Sequence, residues 1–132
     1  MLQLKPVQYL EAENAWLMSS EPDWHCEIII AGDAAGPAPA RLAFLERIIS
    51  KLGDVERQAR DYLDIFVDRG RFANGEAWYF EGVEMGRDPA APISELIMQF
   101  SLGEADIYGC WTVTLQEHQA RICPVEFRRR QW

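Results

Sequence analysis

The chain is short of the residues that announce chemistry. It has three cysteines and two histidines in 132 residues. Cys26, Cys110, Cys123, His25 and His118 are scattered, with no C-x-x-C or H-x-x-x-H pair among them. Zinc sites usually draw pairs of ligands from single turns, so no structural metal is expected. No serine sits in a G-x-S-x-G context, and no cysteine belongs to a catalytic signature with histidine. His25 and Cys26 are neighbours, but neighbours on a strand point to opposite faces. The glycine-containing stretches at 32–40 (GDAAGPAPA) and 86–92 (GRDPAAP) carry no phosphate-binding fingerprint.

Long apolar runs are missing too. None approaches the roughly 20 residues a helix needs to cross a bilayer, and the opening MLQLKPVQYLEAENAW has no secretory-signal pattern. With an odd number of cysteines, these absences lead us to expect a cytoplasmic chain with reduced, buried thiols and no cofactor or membrane association.

Positive charge is the other shortage: 13 Lys and Arg stand against 21 Asp and Glu, for a net charge of −8. Residues 1–37 and 70–106 hold the acidic excess, 38–69 balance, and 107–132 are net basic through Arg121, Arg128, Arg129 and Arg130. Most of such a surface repels a phosphate backbone, which argues against nucleic acid and for a basic protein partner. For the basic tail we prefer the account in which it folds back on the chain's own acidic surface or on a second copy, or guards an edge strand, over one in which it binds phosphate or an acidic partner.

What is present is a pattern. Leu96, Met98, Phe100 and Leu102, then Ile107, Trp111, Val113 and Leu115, then Cys123, Val125 and Phe127 alternate with polar residues as half-buried strands do. Ala77–Met85 reads as a strand before them, in which Gly82 predicts a bulge or close packing against a helix. Pro124 cannot donate to a ladder, so the last strand belongs at an edge or a bulge. Cys26–Ala31, with three consecutive isoleucines, reads as a central strand buried on both faces. Val7–Leu10 and Ala15–Met18 read as short strands, and Phe72–Gly75 ends in the turn signal Asn-Gly.

From Arg41 the period becomes helical. Leu42, Leu45, Ile49, Leu52, Val55, Ala59, Tyr62, Leu63 and Phe66 form one stripe. A straight helix over this block would be about 43 Å long, against a domain diameter of about 36 Å. The block, residues 40–69, is therefore either two segments parted at Gly53, with Asp54 as the second N-cap, or one bent helix. The expected fold is α+β: a single domain over 1–132, in two layers, with a largely antiparallel sheet of five or six strands. The helices pack on one face, and the strand meander spans 76–128.

Asp61, Asp64 and Asp68 share a helical face and Glu81 and Glu84 a strand, but a solvated face and ordinary strand acids are the simpler readings. The five tryptophans exceed what a small core readily hides. Trp111 is in phase with the core, whereas Trp16, Trp24 and Trp132 are candidate anchors of a protein interface. Packing over the sheet edges remains open for them.

With the helical block ending in YLDIFVDRG and the meander containing ELIMQFSLGEADIYGCWTVTL, residues 26–127 resemble the uncharacterised small bacterial domains grouped near polymorphic-toxin immunity proteins. The resemblance implies a non-enzymatic binding domain that neutralises a basic toxin, and it carries over no catalytic residue. Two other classes stay open. One is a small enzyme or ligand-binding domain with a pocket between sheet and helices, rimmed by Glu104, Asp106, Tyr108 and His118. The other is a homo-oligomeric accessory, such as a homodimer paired through its edge strand.

Overall fold

The computed structural model describes residues 3–21, 26–69, 78–102 and 110–130. In chain order these form β1 (Gln3–Leu10), a 3₁₀ turn (Glu11–Glu13), β2 (Ala15–Glu21), β3 (Glu27–Asp33), β4 (Gly36–Pro37) and α1 (Pro39–Ile48). A second 3₁₀ turn (Ile49–Lys51) leads to α2 (Leu52–Phe66), β5 (Tyr79–Met85), β6 (Glu95–Ser101), β7 (Cys110–His118) and β8 (Arg121–Arg130).

The strands make one sheet in the order β1-β2-β3-β5-β6-β7-β8, with the two-residue β4 paired to β3. Every pairing is antiparallel except β3 with β5, which the helical block connects as a crossover. The α+β architecture and the antiparallel meander are as expected. The strand number is not: eight strands replace the five or six read from the pattern. β1 is an edge strand exposed along most of its length, so no alternation marks it in the sequence.

Cross-strand register explains the two faces. Ile28, Val83, Met98, Val113 and Phe127 stand opposite one another across five strands. The first four are at most 3% exposed. This row joins Leu45, Leu52, Val55, Ala59 and Leu63 of the helices in one core, each fully buried side chain contributing about 1.5–3 kcal/mol. Trp111 and Trp78 are also buried there, in edge contact with ring centroids 6.2 Å apart.

The next row, Ile29, Glu84, Ile97, Thr114 and Glu126, faces the opposite way. β3 is therefore interior to the sheet but not buried on both faces, since Ile29 is only half-buried. At Gly82 the ladder slips by one residue, and a Cβ there would lie 2.5 Å from the Glu27 carbonyl oxygen. The predicted bulge is present, but the close neighbour is β3 rather than a helix.

The helical block is interrupted by the 3₁₀ turn at Ile49–Lys51, and not at Gly53. Ile48, just before the turn, and Lys51, its last residue, relax to φ near −100° and ψ near 0°, values that require no glycine. Gly53 lies inside the first turn of α2, with nothing near the place of a Cβ. The turn interrupts the α-helical hydrogen bonding without breaking the stripe, so α1 and α2 pack on the same core. Pro39 starts α1 at a position where its missing N–H costs nothing. Phe66 ends α2, short of the expected residue 69, where Val67 turns to extended backbone and Trp78 Nε1 donates to Asp64 at 2.8 Å. Arg41, buried in α1, donates to the carbonyls of Ala91 and Pro92 at 3.0 and 3.2 Å and so anchors the β5–β6 connection.

Candidate interaction surface

The outer face of the sheet is polar and hollow. Glu84 of β5 is 8% exposed there. Its carboxylate accepts from Arg87 Nη1 at 3.1 Å and from Arg130 Nη2 at 3.0 Å, while Arg87 Nη2 reaches Glu13 Oε1 at 2.9 Å. Arg130 ends β8, three strands away from β5 in the sheet order, so the sheet must curl for the two to meet. The hydrogen bond to Glu84 is the main cause that holds the Arg87 guanidinium above its ordinary pKa, with Glu84 and Glu13 adding electrostatic support against partial burial.

Two depressions adjoin this network. A small one of about 110 Å³ is lined by Glu27, Glu81, Glu84 and Gln99 among others. A wider hollow of about 540 Å³ includes Tyr9, Glu11, Glu13, Glu27, Ile29 and Arg87 in its lining. Glu27 and Ile29 are common to both. Glu81 accepts from Ser101 Oγ at 2.5 Å. Among the described residues the two depressions gather five carboxylates, Glu11, Glu13, Glu27, Glu81 and Glu84, with Arg87 in the lining and Arg130 reaching Glu84. Chemically they offer fixed acceptors for cationic groups.

The residues singled out from the sequence fare unevenly. Trp16 is not in the lining of this hollow: it stands opposite Ile30 and packs against the core, its ring 5.3 Å from Tyr9 and its Nε1 donating to the Asp33 carbonyl at 2.7 Å. It is half-buried and held by the fold. His118 is exposed at the end of β7 and lines no pocket described here. Trp24, Glu104, Asp106, Tyr108 and Trp132 lie outside the described residues, as does the Asn-Gly turn at 72–75.

Asp64 is taken up by Trp78 and Arg69, so the aspartate face of α2 is not an open ligand set. The expectation of three buried thiols holds only for Cys110, since Cys26 is intermediate and Cys123 exposed. The Glu84–Arg87 spacing of three residues was visible in the sequence. Arg130, which completes the network, gave no local signal.

A second concavity lies on the helix side. A cleft of about 480 Å³ opens between the α1–α2 joint and the β7–β8 hairpin. Arg47 bridges it, donating to both oxygens of Glu117 at 2.8 and 3.0 Å. That hydrogen bonding is the main cause that lowers the Glu117 carboxyl below its ordinary range and raises Arg47 above its own. Here there is a pocket between sheet and helices, but His118 is not in its lining.

Among the described residues no group of three or more His, Cys, Asp or Glu side chains could hold a metal ion, and no helix is long and apolar enough to cross a membrane. The chain matches no protein-family model, no curated protein and no solved structure.

Proposed function

We propose that this chain is a non-enzymatic protein-binding domain of the immunity type, whose acidic outer sheet face masks a basic toxin. The observation that carries the reading is the concentration of carboxylates around the β3–β5 seam, where Glu27 and Glu11 make no ion pair among the described residues. A hollow of this kind receives lysine and arginine side chains, and complementary charge steers such a partner into place. The Glu84 network keeps the face in shape, because it ties the β1–β2 turn, β5 and the end of β8 together. The net charge of −8 acts in the same direction over longer range.

The test is to recover the partner with a tagged chain in its native host, to check the neighbouring genes for a basic toxin, and to co-express the chain with that toxin. The reading expects rescue of growth and a stoichiometric complex. It further expects that Glu27→Lys with Glu11→Lys slows association about tenfold at low salt and flattens its salt dependence, with dissociation little changed. No complex, or an association rate indifferent to both charge reversals, overturns it.

A further inference from the structure

We propose that β8 is a docking edge for a second copy of this chain, with the two β8 strands pairing antiparallel about a two-fold axis at Phe127. The argument makes no use of the acidic hollow, so it stands or falls apart from the immunity reading.

The backbone supplies the opening. β8 ends the sheet, and among the described residues no strand pairs with its far side. A row of unpaired N–H and C=O groups is a template for another strand. Beyond the extra residue at Val125 the two faces of β8 alternate regularly. Glu126 and Arg128 stand opposite Thr114 and Thr112 on the outer face, and Phe127 stands opposite Val113 on the core side.

The core is also incompletely closed beside this edge. Phe127 stacks on Phe66 at 5.0 Å, and the Tyr62 ring lies 5.1 Å from Phe66 and 6.2 Å from Phe127. Phe66 is nevertheless 55% exposed. A second copy paired at Phe127 sets one such aromatic group against the other, and aromatic residues are enriched in interfaces of this kind.

Charge then selects the occupant and its register. Residues directly opposed in an antiparallel pair share a face, so a symmetric pairing of this stretch is centred on a residue that meets itself. Centred on Glu126 it opposes two carboxylates, and centred on Arg128, Arg129 or Arg130 it opposes two arginines. Centred on Phe127 it sets Glu126 of each copy against Arg128 of the other, twice, with no like charges opposed. Within one chain these two side chains meet only loosely, at 3.4 Å and with 48% and 75% of their surfaces exposed. Arginines that repel an arbitrary strand therefore admit one whose carboxylate lies two residues from its own arginine. Another β8 is such a strand.

Sedimentation velocity of the whole chain, from about 1 to about 200 μM, reads the association. A Kd of about 20 μM is expected, so the dimer dominates at the top of this range. Glu126→Arg and Arg128→Glu each turn two attractive pairs into repulsive ones and should weaken dimerisation about thirtyfold, with the melting temperature little changed. Mixed in equal amounts, the two variants should associate with about the affinity of the native chain, because each copy then holds the charges the other needs. A contact confined to one chain cannot be rescued in this way, since neither variant keeps its own Glu126–Arg128 pair. A native chain that stays monomeric throughout the range overturns the proposal, as does a dimer indifferent to either reversal or a mixture that fails to associate. Should a reversal unfold the chain, Glu126→Gln is expected to weaken the dimer about fivefold, and an unchanged Kd there overturns it.

Discussion

Replacing Glu84 by Gln tests whether the curl of the sheet is held by charge. The carboxylate is 10% exposed on its side chain and accepts two charge-assisted hydrogen bonds, from Arg87 and Arg130, whose side chains are 38% and 45% exposed. Hydrogen bonds to charged groups contribute about 1.5–3 kcal/mol each when buried. Both arginines reach water, so each bond is discounted to about 1 kcal/mol. Gln keeps the volume but turns an amide NH₂ toward one guanidinium, so neither interaction survives intact, and the loss should be about 2 kcal/mol. With a urea slope of about 1.5 kcal/mol/M, the unfolding midpoint then falls by about 1.3 M. Tryptophan fluorescence reads the transition, since Trp78 and Trp111 are buried. A cycle with Arg130→Gln isolates the long-range contact. A loss under about 0.5 kcal/mol, or full additivity in the cycle, refutes the reasoning, because an uncoupled pair cannot be bending the sheet.

Other perturbations test the frame around the two concavities. Gln119 and Ala120 both have positive φ, 52° and 64°, in the two-residue turn between β7 and β8. Asn-Gly there should raise stability by about 1 kcal/mol, seen as a higher melting temperature in calorimetry. Gly82→Ala places a Cβ 2.5 Å from the Glu27 carbonyl, a backbone atom that cannot step aside. It should cost about 2–3 kcal/mol in chemical denaturation. Glu117→Gln removes a carboxylate whose pKa is lowered in the folded chain. Its stabilising contribution is full above the ordinary value of 4.5 and is lost as pH falls through the lower folded value. The stability gap between native chain and variant should therefore be constant near neutrality and close in acid, as followed by urea titrations at stepped pH.

The meander was legible because apolar and polar residues alternate along its strands, a pattern that β7 keeps through Thr112 and Thr114 even though both its faces are buried from Cys110 to Leu115. Pro124 gave the edge correctly: β8 is the last strand, and the extra residue of its bulge, Val125, follows the proline. The basic tail behaves as preferred, with Arg130 folded back on Glu84 and Arg129 4.9 Å from the Trp111 ring centroid. β1 was under-read because an exposed edge strand has no buried face to write a pattern. Three isoleucines in a row mimic a strand covered twice, whereas here the middle one fronts a hollow. Gly53 misled because glycine is a common break but not a required one, and the 3₁₀ turn needed no special residue. The site was the least legible part. Glu84 meets Arg130 only through sheet curvature, 46 residues along the chain, and no local period encodes that. Cys123 looked like a core residue by its phase with Phe127, but the extra residue at Val125 reverses that phase and sets Cys123 opposite Gln116 on the outer face, while Ile122 takes the core side.

Net charge is thus a poor descriptor of what this surface recognises. The acidic hollow and the cleft bridged by Arg47 and Glu117 lie on opposite sides of one sheet, about 10 Å apart at least. Across that distance, two unit charges in water interact by about 0.4 kcal/mol, and physiological salt reduces this to about 0.1 kcal/mol. The bonds of the Glu84 network, 3.0–3.1 Å long and meeting in a nearly buried carboxylate, are several times stronger than this, at about 1 kcal/mol each. The electrostatics of each concavity are therefore set by the groups that line it, and the overall charge acts only at longer range.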